Sequence, residues 1–112
     1  MSKFTLKNIE QISGGDHDFV LSIIETFKTT TPDYINQISK GIAELDTNKI
    51  KHAAHQLKPA FDIFEMNALA EKIRQIETEC EVKEPNMESI ILNFKIVEKE
   101  IIEILPVLNI PI

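Results

Sequence analysis

The chain has little of the residue types that define several large classes of protein. Its 112 residues include no Trp, one Cys, three Gly and five Pro. These glycines and prolines are too few for the many tight turns of an all-β sandwich. The single cysteine, Cys80, excludes an internal disulfide and favours a reducing compartment, so we expect it to serve as buried apolar filler.

Other absences concern membranes and nucleic acid. No stretch reaches the roughly 18 apolar residues that a membrane span needs. The N-terminus lacks the basic region and apolar run of a secretory signal. The net charge of -6 argues against a protein that binds nucleic acid through its phosphates. We therefore expect a cytoplasmic protein with neither a membrane nor a nucleic-acid partner, and the length predicts a single domain, 1–112.

What the sequence has in quantity is helical periodicity. Apolar residues recur at steps of three and four, the spacing that buries one face of a helix. A short leading helix, Phe4 to Ser13, ends at Gly14-Gly15. Four longer segments follow, and their inward positions are Phe19, Ile23, Phe27, Ile35, Ile38, Ile42 and Leu45; Ile50, Ala53, Ala54, Leu57, Ala60, Phe61 and Phe64; Leu69, Ile73, Ile76 and Cys80; and Met87, Ile90, Ile91, Phe94, Val97, Ile101 and Leu105.

The connections between these segments are short. Asp16 and Asn86 are suited to cap the second and last helices, and the third begins at Asp46 or Thr47. The polar stretch from Glu81 to Pro85 is predicted to be a loop. Because short connections make successive helices antiparallel, we predict an all-α fold, an antiparallel up-down four-helix bundle with a short extra N-terminal helix.

Three local features leave alternatives open. Thr29-Thr30-Thr31-Pro32 interrupts the second segment, which is one kinked helix or two shorter ones, and we favour the kinked helix. The apolar tail from Ile101 to Ile112, broken by Pro106 and Pro111, is expected to dock on the domain. The leading helix carries apolar residues that form either a partly exposed rim for a partner or plain packing, namely Phe4, Leu6, Ile9 and Ile12.

The third helix carries an unusual histidine. At about 100° per residue, His55 falls roughly 160° from the centre of the apolar arc, so we expect it to point into solvent. From Thr47 to Phe61 the sequence has three lysines and no carboxylate, namely Lys49, Lys51 and Lys58. Lys51 and Lys58 lie one helical turn to either side of His55. This is a small basic island around an exposed histidine in an acidic protein.

Such a setting suits phosphoryl chemistry. Neutral imidazole is a nucleophile near pH 7, and a lysine one turn away stabilises charge on phosphoryl oxygens. Two other arrangements are weaker. His52 and His55 have the spacing of two metal ligands but lack a third on this helix, so no metal is expected. Asp62 lies about 10 Å from His55 along the axis, too far to orient its ring.

His55-Gln56-Leu57-Lys58 resembles the His-x-Leu-Lys core of histidine phosphotransfer (HPt) domains. Ala54, Ala60, Phe64 and Leu69 also match, and Leu6 to Phe27, with Gly14-Gly15-Asp16 and Phe19, resembles the opening helix and turn of that family. The resemblance implies a phosphocarrier and not an enzyme, a monomer without a cofactor, which relays phosphoryl groups between receiver domains of hybrid histidine kinases and response regulators. It implies that His55 is the phosphoacceptor and that Lys58 stabilises the phosphate, while the receiver supplies the aspartate and the metal ion.

Two positions depart from the family pattern. Pro59 stands where members usually have Gly, four residues after the histidine, and Glu65 stands where they often have another. Proline removes the hydrogen bond to the His55 carbonyl and is expected to kink the helix and re-aim the imidazole. Two alternatives therefore stand beside the carrier: a pseudo-HPt that binds a receiver without efficient transfer, and a helical adaptor without phosphate chemistry.

Overall fold

The computed structural model describes residues 7–108, which form helices joined by short turns and contain no strand. This confirms the predicted all-α bundle with a short leading helix. The elements are α1 (Lys7–Ser13), α2 (His17–Glu44), α3 (Thr47–Ile63), α4 (Asn67–Glu81), α5 (Met87–Ile104) and a final 3₁₀ turn (Leu105–Leu108). None of the described helices is both long enough and apolar enough to cross a membrane.

Three of the long helices begin at a side-chain cap. Carboxylates of Asp16 and Asp46 accept hydrogen bonds from the backbone amides three residues later, at 3.2 and 3.1 Å, and the Asn86 amide oxygen does the same at 3.1 Å. Each cap satisfies an amide that has no partner within its helix and contributes about 1 kcal/mol. The caps predicted at Asp16 and Asn86 are confirmed, and Asp46 caps α3, whose first residue is Thr47.

Helix α2 runs unbroken through Pro32, so the favoured single helix is the one observed. The hydroxyls of Thr29 and Thr30 donate to the carbonyls four residues earlier, each at 2.8 Å. Thr31 differs, because its Oγ1 is buried with no hydrogen-bond partner among the described residues. A polar atom in this state costs stability.

The four long helices pack in sequence order, α2 against α3, α3 against α4 and α4 against α5, with α5 returning to α2. Their inward faces form one core, and the Phe27 ring lies 6.3 Å from that of Phe61 and 4.6 Å from that of Phe64. Residues with almost no exposed surface include Ile38, Ile50, Leu57, Ile73, Ile76, Ile90 and Val97. Each lies at a position that the periodicity assigned to the interior.

Several apolar positions differ from expectation. Phe19 is 41% exposed because it lies in the first turn of α2, and Leu45 is 71% exposed because it ends that helix in a left-handed conformation. On α1, Ile9 is buried in the core while Ile12 is 58% exposed, so these two residues do not form one exposed rim. Phe4 and Leu6 lie outside the described residues.

The C-terminal segment packs partly as predicted. Ile101 and Ile104 are in the core, Leu105 is half-buried, and the 3₁₀ turn contacts α2. The last residues of the predicted docking tail, 109–112, lie outside the described part of the chain. Cys80 is half-buried against the core, and this burial raises the pKa of its thiol to about 11.

A tight turn sets α4 against α3. The amide of Glu65 donates to the Asp62 carbonyl at 3.0 Å, and that of Met66 donates to the Phe61 carbonyl at 2.8 Å. These two bonds form a Schellman motif, in which one residue is left-handed. That residue is Glu65, with φ of +55°, and Met66 behind it is buried. The turn reverses the chain so that the exposed flanks of α3 and α4 lie side by side.

Candidate functional site

His55 lies on the outer face of α3, where its side chain is 66% exposed. Its neighbours Ala54 and Leu57 are buried, and they hold this part of α3 against the core. The side chain therefore stands on a rigid segment and reaches solvent, as the helical periodicity predicted.

The ring of His55 is held by a carboxylate from the next helix. Nδ1 of His55 lies 2.8 Å from Oε2 of Glu77, and the Glu77 side chain is only 15% exposed. A carboxylate accepts hydrogen bonds, so this contact favours the tautomer with the proton on Nδ1. It leaves the lone pair on Nε2, the nitrogen farther from the backbone. Glu77 thus orients the His55 ring and leaves Nε2 as the nitrogen with a lone pair.

A salt bridge joins the same two helices one turn away. Lys51, four residues before His55 on α3, contacts Glu81, four residues after Glu77 on α4, at 3.1 Å. The two pairs define an antiparallel register in which a step forward on α3 matches an equal step back on α4. One flank of α3 therefore faces one flank of α4 across an exposed row of charged side chains.

The lysines of the basic island have different environments. Lys49 lies 2.8 Å from Glu44 at the α2–α3 turn, and this hydrogen bond raises the pKa of Lys49. Lys51 is paired with Glu81, as described above. Lys58 is half-buried, and within residues 7–108 no carboxylate lies at ion-pair distance from it. Tertiary contacts therefore neutralise two of the three lysines and leave Lys58, one turn after His55, as the available cation.

An apolar groove lies on the other side of His55, between α2 and α3. It has a volume of about 280 Å³, and Pro59, one turn from His55, forms part of its wall. Ile23 and Thr26 line it from α2, while Ala60 and Ile63 line it from α3. The groove places apolar surface one helical turn from His55. Pro59 does not end α3, which continues to Ile63.

The site offers no place for a metal within the described residues. No group of three or more His, Cys, Asp or Glu side chains there is arranged to hold an ion. His52 is exposed on α3, three residues before His55, and makes no hydrogen bond or ion pair within residues 7–108. The arrangement is that of a single oriented histidine with a lysine one helical turn away.

Sequence reasoning proposed His55 and Lys58 as site residues, and the structure places them one turn apart on α3, but that reasoning did not include Glu77. It tested only carboxylates on the same helix, and it set aside Asp62, which is exposed near the end of α3. Glu77 follows the buried Ile76 on α4, so periodicity alone places it beside the core. Only the register of α3 against α4 shows that it meets His55.

The fold and site together define an α-helical bundle that presents one oriented histidine to solvent. The family model described as "Hpt domain" matches residues 22–104 of the chain. The chain therefore belongs to the Hpt domain family, whose members are phosphotransfer modules of phosphorelays. No curated protein and no solved structure matches the chain.

Proposed function

We propose that this chain is a phosphohistidine carrier that accepts a phosphoryl group on Nε2 of His55 and passes it on to a receiver-domain aspartate. The observation that carries the proposal is the 2.8 Å contact between His55 Nδ1 and Glu77. It presents Nε2 to solvent as a lone-pair donor in a fixed direction, where a large partner is able to approach it.

The transfer step uses this tautomer directly. The Nε2 lone pair attacks the phosphorus of an aspartyl phosphate, the P–O bond breaks, and the aspartate leaves as a carboxylate with that electron pair. The ring keeps its Nδ1 proton and becomes cationic, so the negative charge of Glu77 stabilises the phosphorylated ring. Return transfer reverses these steps, and the protonated imidazole is the better leaving group. Glu77 is therefore a positioning residue for both directions.

Lys58 has a separate role in the proposal. Its ammonium group is free of carboxylate partners within residues 7–108 and lies one turn from His55. An ammonium group stabilises charge on phosphoryl oxygens without fixing their geometry. The groove lined by Pro59, one helical turn from His55, supplies apolar surface for a docked receiver domain.

The test uses phosphoramidate, a small donor that phosphorylates histidine without a partner protein. The parent chain is expected to gain one phosphoryl group by intact mass, and His55→Gln is expected to gain none. His52→Gln is the matched control, since it removes an exposed histidine from the same helix and should leave the gain unchanged. The phosphorylated product should survive base and be lost in acid.

The alternatives give different results. A phosphorylated receiver domain that binds the folded chain but transfers nothing would select the pseudo-HPt. A folded helical chain that neither takes phosphoryl from phosphoramidate nor binds any receiver domain would leave the adaptor as the better account. Gain of phosphoryl by His55→Gln equal to that of the parent would contradict the assignment of His55.

A further inference from the structure

The flank of α4 that faces His55 carries Arg74 as well as Glu77. The register set by the His55–Glu77 and Lys51–Glu81 contacts continues towards the α3–α4 turn. Lys58 lies three residues after His55 on α3, and Arg74 lies three residues before Glu77 on α4. The register therefore places two cations opposite each other, one turn beyond the histidine.

Arg74 is turned away from this position within its own helix. Its Nε donates to Oε2 of Glu71 at 3.1 Å, and its Nη2 donates to Oε1 of the same carboxylate. The pairing raises the pKa of the Arg74 guanidinium and lowers that of the Glu71 carboxyl. Both side chains are about half exposed, so water and salt screen the pair. Because such an exposed ion pair contributes little free energy, Arg74 can leave Glu71 for another anion at a small cost in free energy.

The phosphorylated site would offer Arg74 a better partner. A phosphoryl group carries nearly two negative charges near neutral pH and three acceptor oxygens, whereas Glu71 carries one charge. A guanidinium group binds such oxygens in a fixed two-point geometry that an ammonium group lacks. Arg74 also lies three residues from Glu77 on the same helix, which makes the two side chains surface neighbours.

We propose that Arg74 is a second phosphoryl-binding cation of the His55 site. When His55 is phosphorylated, the Arg74 guanidinium moves from the Glu71 carboxylate to the phosphoryl oxygens. This inference rests on the proposed function. In the unphosphorylated protein, Glu71 binds the Arg74 guanidinium and so competes with a phosphoryl group for it. Lys58 and Arg74 then close on the phosphoryl group from α3 and α4 respectively.

The reaction used for the test balances without further reagents. The Nε2 lone pair of His55 attacks the phosphorus of phosphoramidate, the P–N bond breaks, and ammonia leaves with that electron pair. The Nδ1 proton stays on the ring, hydrogen-bonded to Glu77. Arg74 and Lys58 exchange no proton in this step and act only on the charge of the phosphoryl oxygens.

The experiment compares variants of the full chain for the rate of phosphohistidine formation and for its lifetime after the donor is removed. Arg74→Gln should slow formation about tenfold, since it loses a charge-assisted pair of hydrogen bonds, and Arg74→Lys should restore part of the rate. Glu71→Gln should speed formation because it frees Arg74. Lys72→Gln, which removes the same charge from the opposite flank of α4, should change little.

A double-mutant cycle separates competition from a general charge effect. If Glu71 acts through Arg74, then Glu71→Gln has no further effect in the Arg74→Gln background. A purely structural ion pair would make both single variants less stable on thermal unfolding and would move their rates in the same direction.

The possible outcomes distinguish failure of the Arg74 role from failure of the proposed carrier function. If the parent chain is phosphorylated but Arg74→Gln behaves like Lys72→Gln, the role of Arg74 is overturned while the carrier function stands. If Glu71→Gln speeds the reaction equally with and without Arg74, competition is overturned. If the folded parent gains no phosphoryl group from phosphoramidate or from a phosphorylated receiver domain, the proposed function and this inference fail together.

Discussion

Replacing Glu65 by glycine should make the domain more stable, although the change removes a whole side chain. Glu65 has a φ of +55° in the turn between α3 and α4. An L-residue in the left-handed region costs about 1–2 kcal/mol, which glycine avoids. Glycine in turn loses more conformational freedom on folding, which costs about 0.5–1 kcal/mol. The net gain from the backbone is therefore about 0.5–1 kcal/mol.

A second contribution comes from charge. Glu65 follows the C-terminus of α3, where the aligned peptide dipoles give the helix a negative end. A carboxylate there is unfavourable by about 0.3–1 kcal/mol at low salt. The total expected for Glu65→Gly is about 1 kcal/mol, which raises the midpoint of thermal unfolding by about 4 °C in a domain of this size.

Circular dichroism at 222 nm, followed during urea and thermal unfolding, measures this change. Glu65→Ala is the informative control, because it removes the charge and keeps the left-handed strain. The free energy of unfolding of Glu65→Gly should exceed that of Glu65→Ala by about 0.5 kcal/mol or more, because alanine at positive φ is still strained. Equal stability of the glycine and alanine variants would refute the strain argument and leave charge as the whole effect.

Three further changes test other parts of the structure. Thr31→Val should stabilise the domain by about 1 kcal/mol in urea unfolding, because the buried hydroxyl has no partner among the described residues; a loss of stability would show that the hydroxyl is satisfied in solution. Gly41→Ala should cost about 1–3 kcal/mol in the same assay, because an added Cβ would lie 2.7 Å from Cγ1 of Ile50, and an unchanged midpoint would contradict that packing. Cys80 should react with iodoacetamide at pH 9 at least about tenfold more slowly than a free thiol, since its raised pKa of about 11 keeps it protonated there; its rate should climb as the pH approaches 11, and a plateau below pH 9 would contradict the raised pKa.

The fold followed from the sequence because helix burial is a local property. Steps of three and four in Ile50, Leu57 and Phe61 locate the inner face of α3 whatever packs against it, and the same spacing sets His55 outside. Periodicity does not show where a helix itself begins and ends. It therefore assigned Phe19 and Leu45 to the interior, although both lie at the ends of α2.

The exposure of His55 could be predicted from the sequence, but the charges around it could not, because they depend on how neighbouring helices are aligned. Counting residues along α3 gave a basic island, yet carboxylates from other segments reach it in space, Glu44 to Lys49 and Glu81 to Lys51. Glu77 was missed for the same reason. The alignment of α4 against α3 is fixed by the turn at Glu65, and the hydrophobic pattern does not predict the left-handed backbone of that residue.

The two departures from the family pattern act on different parts of the protein. At Glu65 the structure requires a left-handed residue, so glycine's advantage there is conformational, and glutamate keeps the turn at a cost in stability. Pro59 removes a hydrogen bond from the His55 carbonyl, which suggests a re-aimed imidazole if α3 alone orients the ring. Because Glu77 on α4 holds Nδ1 at 2.8 Å, the orientation depends on the contact between two helices and not on the backbone of one. Pro59 instead lines the apolar groove, so under the proposed function we expect its effect to fall on the shape of the surface offered to a receiver domain and not on the direction of the His55 ring.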